Sequence, residues 1–363
     1  MDLKFDNPVG RVPNTAEHRT ADLYLNEDGW RLKRSKGNWK RPLSSALRHL
    51  DTVHSLTVSG IPPQDKIAET VRFLSQAICR GTALTTAPTQ LAAEFHNELK
   101  SSIRTFPTGS PGKLAWDIAA VSQRRHALRP LINNLPSVSI VLVSRRSDLV
   151  VPMVKRLSKI DYPDFEIIVG LHGVPEPQEL SQLKIDPELV VKSFPDDQIF
   201  GSVVNDAFKL ASGTLVTKVD DDDYYSNDHV WDLVAAHRYS GACLVGKSTT
   251  TIFLEGLDTT VRRSYGVREG YTHRVAGGTM LLRQSDLWEL GGWPTVPRAV
   301  DTALISAIRK ERQHIYQPHD IGYVYVRTAK GDHTWIAKNS SFLRNADEQW
   351  IGLYRHSELG TNA

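Results

Sequence analysis

Four consecutive aspartates, Asp220 to Asp223, form the segment of this sequence that is richest in potential chemistry. They directly follow an apolar run, Thr214–Val219, that is typical of a buried strand. Neighbouring carboxylates repel one another, so each raises the pKa of the next unless a cation is bound. A hard divalent cation, Mn²⁺ or Mg²⁺, relieves that repulsion through oxygen ligands, and substrate phosphates often complete its shell. The cluster therefore predicts a metal-assisted diphosphate site, with a solvated acidic turn as the alternative.

The elements around the acidic cluster alternate between strand and helix. Short apolar runs predict strands at Ser137–Ser144, Phe165–Gly170, Leu189–Phe194 and Thr214–Val219, with later strands at Ala242–Val245, Thr279–Leu282 and Ile321–Arg327. Helical stretches intervene or follow at Leu149–Lys159, Val203–Ser212 and Asp301–Arg312. This alternation predicts an α/β domain with a mainly parallel sheet flanked by helices. Ligands bind beyond the carboxyl ends of the strands in such sheets, which is where Asp220 stands.

The first 130 residues have a different pattern. Apolar residues recur at helical spacing in Asp65–Arg80, and further helices are predicted over Thr89–Ser102 and Leu114–Arg129. We therefore expect a mainly helical accessory region at 1–130, the α/β domain at 135–335 and a C-terminal tail at 336–363.

Charge is distributed unevenly between these regions. The chain of 363 residues has a net charge of +3, whereas residues 1–130 hold 19 Lys and Arg against 12 Asp and Glu. Six of the eleven residues from Arg31 to Arg41 are basic, and Trp39 lies among them. Such a patch predicts contact with an anionic polymer, a membrane surface or nucleic acid, with a solvated basic face as the alternative.

Several classes of protein are excluded by composition. Only two cysteines occur, Cys79 and Cys243, so neither a disulfide framework nor a CxxC metal site is present. No run of about 18 apolar residues predicts a membrane span, and residues 1–20 do not resemble a signal peptide. We expect a cytoplasmic protein.

From Ser137 to about Trp335, the chain resembles an inverting family 2 glycosyltransferase with the GT-A fold of nucleotide-diphospho-sugar transferases. Each matching motif is weak alone, but their order and spacing together are specific. The matches are the Asp-any-Asp motif at Asp220 and Asp222, the helix residues Gly201 and Asn205, the acceptor strand Ala276-Gly277-Gly278-Thr279, the turn Gly291-Gly292-Trp293, and the carboxylate Asp301.

The resemblance implies roles for these residues. Asp220 would approach the ribose of the nucleotide, Asp222 would hold the metal that bridges the phosphates, and Asp301 would be the general base. His333 would be a further metal ligand. We assign the nucleotide sugar to Ser144, Arg145, Asn205, Asp220 and Asp221, and the acceptor to Gly278, Thr279 and Trp293.

Asp301 and the aromatic residues also have structural interpretations. Asp301 begins a predicted helix, whose dipole favours an ionised carboxylate and a low pKa, but an aspartate there is also a common helix cap. Trp293, Tyr271 and Trp335 are candidates for stacking on sugar rings, although aromatic residues more often pack in a core.

The resemblance implies a metal-dependent, inverting enzyme that moves a sugar from a nucleotide-diphosphate donor to a hydroxyl on a glycan, lipid-linked or protein acceptor. UDP is the default nucleotide, although Gly170–Gly173 replaces the aspartate with which relatives read uracil. No Gln-any-any-Arg-Trp motif or membrane helix is predicted, which argues against a processive synthase. Two alternatives stay open: a sugar nucleotidyltransferase, whose usual glycine-rich phosphate loop is missing, and a non-catalytic glycan- or nucleic-acid-binding module on a degenerate transferase fold.

Overall fold

The computed structural model of this chain describes residues 19–99, 112–264, 269–329 and 339–362. The chain divides into two compact units. The N-terminal unit comprises Met1–Asn133 and Arg268–Gly270, and the C-terminal unit comprises Asn134–Val267 and Tyr271–Ala363. Among the described residues, none of the helices is both long enough and apolar enough to cross a bilayer.

The N-terminal unit is built on a five-stranded sheet, so the expectation of a mainly helical region was wrong. Its strands are β1 (Thr20–Asn26), β2 (Gly29–Leu32), β3 (Ser35–Asn38), β4 (Ser55–Gly60) and β5 (Ala83–Thr86). Its helices are α1 (Ile67–Cys79), α2 (Thr89–Leu99) and α3 (Lys113–Leu128). The strand order is β3-β2-β1-β4-β5, in which β1, β4 and β5 are parallel and β2 and β3 form antiparallel hairpins.

The strands of this sheet are short and amphipathic, which explains why they were missed. In β1, Ala21, Leu23 and Leu25 are buried while their neighbours are more exposed, which is the period of two of a half-buried strand. The β2–β3 hairpin turns at Lys33–Arg34, where Arg34 has a positive φ of 68°. The three predicted helices all exist, and α1 buries Val71, Leu74 and Ile78 as its periodicity indicates.

The C-terminal unit contains two further sheets. Its strands are β6 (Val138–Ser144), β7 (Phe165–His172), β8 (Glu188–Phe194), β9 (Leu215–Val219), β10 (Tyr224–Tyr225), β11 (Leu244–Val245), β12 (Thr251–Leu254), β13 (Thr259–Arg263), β14 (Gly270–Thr272), β15 (Leu281–Arg283), β16 (Ile315–Gln317), β17 (Tyr323–Arg327) and β18 (Ala346–Ile351). Its helices are α4 (Ser147–Leu157), α5 (Gln178–Gln182), α6 (Phe200–Phe208), α7 (His229–Ser240), α8 (Gln284–Glu289), α9 (Val300–Lys310) and α10 (Asn339–Leu343).

The larger sheet has the order β14-β16-β11-β15-β9-β6-β7-β8. Strands β8, β7, β6 and β9 are parallel, as the strand–helix alternation predicts, and β15 is antiparallel to both β9 and β11. A core cluster joins β6, β7 and β15 to α6, α8 and α9 through Val141, Ile168, Leu282, Phe208 and Leu304. Strands β6 and β7 are buried on both faces, and this is why their sequences are nearly continuous runs of apolar residues.

The smaller sheet has the order β10-β17-β12-β13-β18, and of these strands only β17 was predicted. Its edge strand β18 pairs antiparallel with β13, so residues 346–351 of the predicted C-terminal tail are part of a sheet. At the other edge, β10 pairs with β17 and begins directly after the four aspartates. The smaller sheet therefore supports the acidic cluster from its C-terminal side.

Candidate functional site

The acidic cluster lies at the carboxyl ends of two neighbouring parallel strands. Strand β6 ends at Ser144, and β9 ends at Val219, directly before Asp220. Because β6 and β9 pair in parallel, their carboxyl ends reach the same edge of the sheet. The structure thus brings Ser144 and the aspartates together, as the sequence interpretation requires.

Arg146 neutralises part of the cluster. Its Nε donates to Asp221 Oδ2 at 3.1 Å and its Nη2 to Asp222 Oδ2 at 2.9 Å, while Nη2 also pairs with Asp221. The Ser144 hydroxyl donates to Asp221 as well. Burial and the charges of Asp221 and Asp220 raise the pKa of Asp222, and Arg146 opposes that rise. The chain itself therefore supplies one cation, the Arg146 guanidinium, to this cluster.

Lys218 links the acidic cluster to Asp301. This lysine lies within β9 and is only 6% exposed. Its Nζ pairs with Asp220 and lies 3.6 Å from Asp301 Oδ1. Burial alone would lower the pKa of Lys218, but the charges of Asp220 and Asp301 raise it, so the lysine is a fixed cation. Two carboxylates that are 81 positions apart in sequence thus share one buried ammonium group.

Asp301 is the second residue of α9, yet its pKa is not lowered as the helix dipole predicts. Burial raises the pKa of Asp301, Lys218 lowers it and Asp220 raises it further. The Asp301 side chain is 32% exposed, so one part of the carboxylate faces solvent. A carboxylate with a raised pKa is a stronger base than an ordinary aspartate, which suits it to accept a proton.

Gly277 and Gly278 lie against both carboxylates. A Cβ on Gly277 would lie 1.9 Å from Asp301 Oδ2, and one on Gly278 would lie 2.7 Å from Asp220 Oδ2. A side chain at either position would therefore displace one of the two carboxylates. The predicted acceptor residue Gly278 is thus placed in the site, and its lack of a side chain is a steric requirement.

Asp223 anchors the cluster to the smaller sheet. Its Oδ2 accepts from the Tyr323 hydroxyl at 2.7 Å, and its Oδ1 accepts from the Val326 amide at 2.8 Å. Its pKa is raised well above the ordinary value by burial and by the charges of Asp222 and Asp220. The Tyr225 hydroxyl accepts from the Asp220 amide at 2.9 Å. Asp223 and Tyr225 therefore hold the backbone from which Asp220 and Asp222 project.

Trp293 and Asn205 do not lie where the sequence interpretation puts them. Trp293 is only 2% exposed and packs against Phe208 in the core, so its ring has no free face for a sugar. Asn205 Oδ1 accepts from the Trp293 amide at 2.9 Å, which ties α6 to the turn after α8. A Cβ on Gly201 would meet Pro294 O at 2.2 Å, so this glycine allows the same close approach. In this structure both residues contact protein: Asn205 and Gly201 hold the segment that leads to Asp301, and Trp293 packs in the core.

The other predicted residues divide between structural and peripheral positions. Thr279 is fully buried, and its Oγ1 accepts from the Lys247 amide at 2.8 Å and donates to Ala276 O at 2.9 Å, so this predicted acceptor contact holds backbone instead. Arg145 is exposed and pairs with Asp196. Tyr271 lies in edge strand β14 and donates to Ser240 O at 2.8 Å. His333, Trp335 and Asp332 lie outside the described residues.

A divalent cation fits the carboxylates of this cluster. The charge repulsion at Asp222 is what such a cation relieves, and carboxylate oxygens are its preferred ligands. Among the described residues, no three His, Cys, Asp or Glu side chains converge as a preformed metal centre. Asp220 and Asp222 therefore suit a cation that takes one or two carboxylates from the chain and its remaining ligands from substrate phosphates.

Lys218 is the functional residue that sequence reasoning missed. The sequence does contain a sign of its role. Lys218 is the only charged residue in the apolar run Thr214–Val219, and it stands two positions before Asp220. A lysine inside a buried strand needs a buried counter-ion. What was hidden was the second counter-ion, because Asp301 reaches Lys218 only through the packing of α9.

Part of this chain is similar to known proteins. The model of the family "Glycosyl transferase family 2" matches residues 137–291, and a search of curated proteins returned no match. One similar solved structure is TarS 1–349 of S. aureus with UDP-GlcNAc, at 18% identity, 58% of this chain, 68% of that chain and a TM-score of 0.44. The likeness to the longer S. aureus TarS chain covers 53% of this chain and 37% of that one, at 18% identity and a TM-score of 0.41.

A third similar structure is the mannosyltransferase PcManGT of Pyrobaculum calidifontis with GDP-Man and Mn²⁺. It is 13% identical over 75% of this chain and 71% of that chain, with a TM-score of 0.45. The matched family covers the strands β6 to β9 and the four aspartates, and it ends at Gly291, shortly before α9. Residues 137–291, which include the parallel strands β6 to β9 and the four aspartates, therefore resemble a glycosyl transferase family 2 domain.

Proposed function

We propose that this chain is a non-processive, inverting glycosyltransferase that moves a sugar from a nucleotide-diphosphate donor, a UDP-sugar, to a hydroxyl group of its acceptor. The observation that carries the proposal is the Lys218 bridge between Asp220 and Asp301. It holds the strand-end carboxylate, which resembles a donor-binding residue, next to a basic carboxylate at the start of α9. Donor and acceptor would meet between these two groups, above Gly277 and Gly278.

Asp301 acts as the general base in this proposal. Its carboxylate accepts the proton of the acceptor hydroxyl as that oxygen attacks the anomeric carbon. One base and one displacement invert the configuration at that carbon. Lys218 orients Asp301 and keeps it ionised near neutral pH, because the ammonium charge opposes the effect of burial on the carboxyl pKa.

Asp222 and Asp220 would hold a divalent cation, Mn²⁺ or Mg²⁺, together with the diphosphate. When bound, the cation neutralises the charge that develops on the leaving nucleoside diphosphate. Arg146 and the cation would then both contact Asp222. The Arg146 guanidinium lies beside this carboxylate, where it could turn to bind a phosphate of the donor. His333 is proposed as a further ligand on the sequence resemblance alone.

Asp196 supplies a carboxylate for the nucleotide base. It follows β8, and a Cβ on Gly173, after β7, would lie 2.5 Å from Asp196 Oδ1. Asp196 therefore lies beside the position at which relatives of this family place their uracil-reading aspartate. Its partner Arg145 adds a hydrogen-bond donor. An acceptor next to a donor matches the N–H and carbonyl edge of uracil, which supports UDP as the nucleotide.

The test is the release of nucleoside diphosphate from a panel of UDP- and GDP-sugars with Mn²⁺, with water as the acceptor where no other is known. We expect release from a UDP-sugar and none in chelator. Asp222→Asn is expected to weaken UDP binding about as much as chelator does, since the diphosphate and the carboxylates then repel. Asp206→Asn, which removes a carboxylate from the surface of α6, is the matched control. UDP affinity that is unchanged in chelator contradicts the proposed metal role. Release of pyrophosphate from a nucleoside triphosphate supplied with a sugar 1-phosphate, without release of nucleoside diphosphate from any sugar nucleotide, indicates a nucleotidyltransferase.

A further inference from the structure

A groove of about 430 Å³ opens in the N-terminal unit. One wall is a face of α1, on which Glu69, Arg72 and Gln76 recur every three or four residues, with Lys66 directly before the helix. The other wall is the segment after β3 and includes Trp39 and Lys40. The basic run that the sequence analysis noted at Arg31–Arg41 thus ends at a concave surface.

The groove is positively charged. Three cations, Lys40, Lys66 and Arg72, face one carboxylate, Glu69. Glu69 is already engaged, since its Oε1 accepts from the Leu43 amide at 2.7 Å and its Oε2 lies 3.6 Å from Lys66 Nζ. Lys40 and Arg72 are exposed, and neither forms a salt bridge within the described part of the chain. Two cations are therefore available to an anionic ligand.

Trp39 gives the groove an aromatic surface. Its indole Nε1 donates to Asn26 O at 3.0 Å, which fixes the ring at the rim while leaving it half-buried. A fixed aromatic ring beside hydroxyl and amide groups, here Ser44 and Gln76, suits the apolar face and the hydroxyl edge of a sugar. Nucleic acid fits less well, because its affinity grows with the number of phosphates that are neutralised, and this groove offers only the two cations Lys40 and Arg72 beside the Lys66–Glu69 pair.

We propose that this groove binds an anionic carbohydrate chain, one whose sugars carry carboxylate or phosphate groups, and holds the acceptor at a second site. The acceptor role rests on the proposed function, whereas the binding does not. Trp39 stacks on one sugar ring, and Lys40 and Arg72 pair with the acidic groups on either side of it.

The test is a calorimetric titration of the full chain with a hexamer of galacturonic acid at low salt. Maltohexaose measures the contribution of the sugar alone, and inorganic polyphosphate of similar length measures that of the charge alone. A ten-residue oligouridylate tests nucleic acid. The groove variant combines Lys40→Ala with Arg72→Ala. The matched control combines Arg31→Ala with Lys36→Ala, which removes the same charge from two exposed residues paired across β2 and β3.

We expect the acidic hexamer to bind more tightly than all three other probes. The groove variant should weaken that binding on the order of tenfold, since it removes two charged hydrogen bonds, while the control changes it less than about twofold. Equal losses in both variants, tighter binding of polyphosphate or oligouridylate, or no binding of the hexamer would each overturn the proposal. The titration needs no sugar nucleotide, so its failure leaves the proposed transferase activity standing, and absence of nucleotide release leaves the groove standing.

Discussion

Asp301 and Lys218 show how burial sets the chemistry of single residues in this site. The helix dipole at the start of α9 favours an ionised carboxylate, but the carboxylate is also desolvated and close to Asp220. The dipole effect is about 0.3–1 kcal/mol at an exposed terminus, whereas desolvation shifts the pKa of a carboxyl by up to several units. Burial therefore dominates, and Lys218 is the group that opposes the resulting rise in the pKa of Asp301.

Asp301 lies in the first turn of α9 and is not its cap, so the Asp301→Asn variant separates a catalytic role from a structural role in that turn. Asparagine keeps the size of the side chain but cannot take up the proton of the acceptor hydroxyl. We expect kcat to fall ~10²–10⁴-fold while donor affinity changes only a few-fold. Steady-state kinetics with a UDP titration measure both. Near-normal kcat in a folded Asp301→Asn protein would leave Asp301 only a structural role in the first turn of α9.

The pH dependence of turnover is expected to report the raised pKa of Asp301. Below that pKa the carboxyl is protonated and cannot act as a base, so activity is lost as the pH falls through it, at a pH above the ordinary value of 3.8. Lys218→Met removes the charge that opposes burial, so the acidic limb of the kcat profile should move to higher pH. An unchanged limb in Lys218→Met would contradict the coupling of these two residues.

At the scale of elements, α6 and the turn after α8 form the support of the site. Gly201 and Asn205 lie one turn apart on α6 and both contact the segment 292–296. That segment leads into α9, where Ala299 takes a positive φ of 56° directly before the helix. Packing against the segment 292–296 is therefore enough to explain the glycine and the asparagine at these two positions, without a contact to the nucleotide.

Asn205 variants test this support role. Asn205→Ala leaves the Trp293 amide without its acceptor, which should cost about 1–3 kcal/mol in the free energy of unfolding. Asn205→Asp keeps an acceptor oxygen and should recover much of that loss. We expect kcat to fall in Asn205→Ala with UDP affinity unchanged, since only the path to Asp301 is disturbed. A large loss of UDP affinity at normal thermal stability would restore the nucleotide-binding role.

At the scale of the whole molecule, the chain contains two units that each have their own sheet. The N-terminal unit buries Leu23, Leu32 and Leu56 around its five strands, and the C-terminal unit buries the cluster around β6, β7 and α6. Every candidate catalytic residue belongs to the C-terminal unit, and the basic groove belongs to the N-terminal unit. Separate cores of this kind often unfold as separate cooperative units.

Calorimetric unfolding is expected to show two components. UDP with Mn²⁺ should shift only the component of the C-terminal unit, because a ligand stabilises the state that binds it, by about 2.7 kcal/mol at a concentration one hundred times its Kd. Scanning calorimetry of the full chain with and without UDP and Mn²⁺ measures this. A single two-state transition that shifts as a whole would contradict the independence of the two units.

The sequence by itself determined the parts of this protein that depend on local pattern. The β-branched runs at β6, β7 and β9, the aspartates that follow Val219 and the helix at Asp301 were all readable, because strand period, strand-end position and helix spacing are local properties. The strands of the N-terminal unit and most of those in the smaller sheet were not, since they mix polar with apolar residues and depend on partners distant in sequence.

Only the tertiary structure decided which residues of the motifs lie together at the acidic cluster and which pack in the core. Asn205 and Trp293 look like ligand contacts in the sequence, but packing of α6 against the segment 292–296 turns both inward. Lys218 looks like an isolated charge in a strand, but α9 brings Asp301 to within 3.6 Å of it. The physical reason is that burial and pairing, which set the role and the pKa of a side chain, come from contacts between elements far apart in the chain.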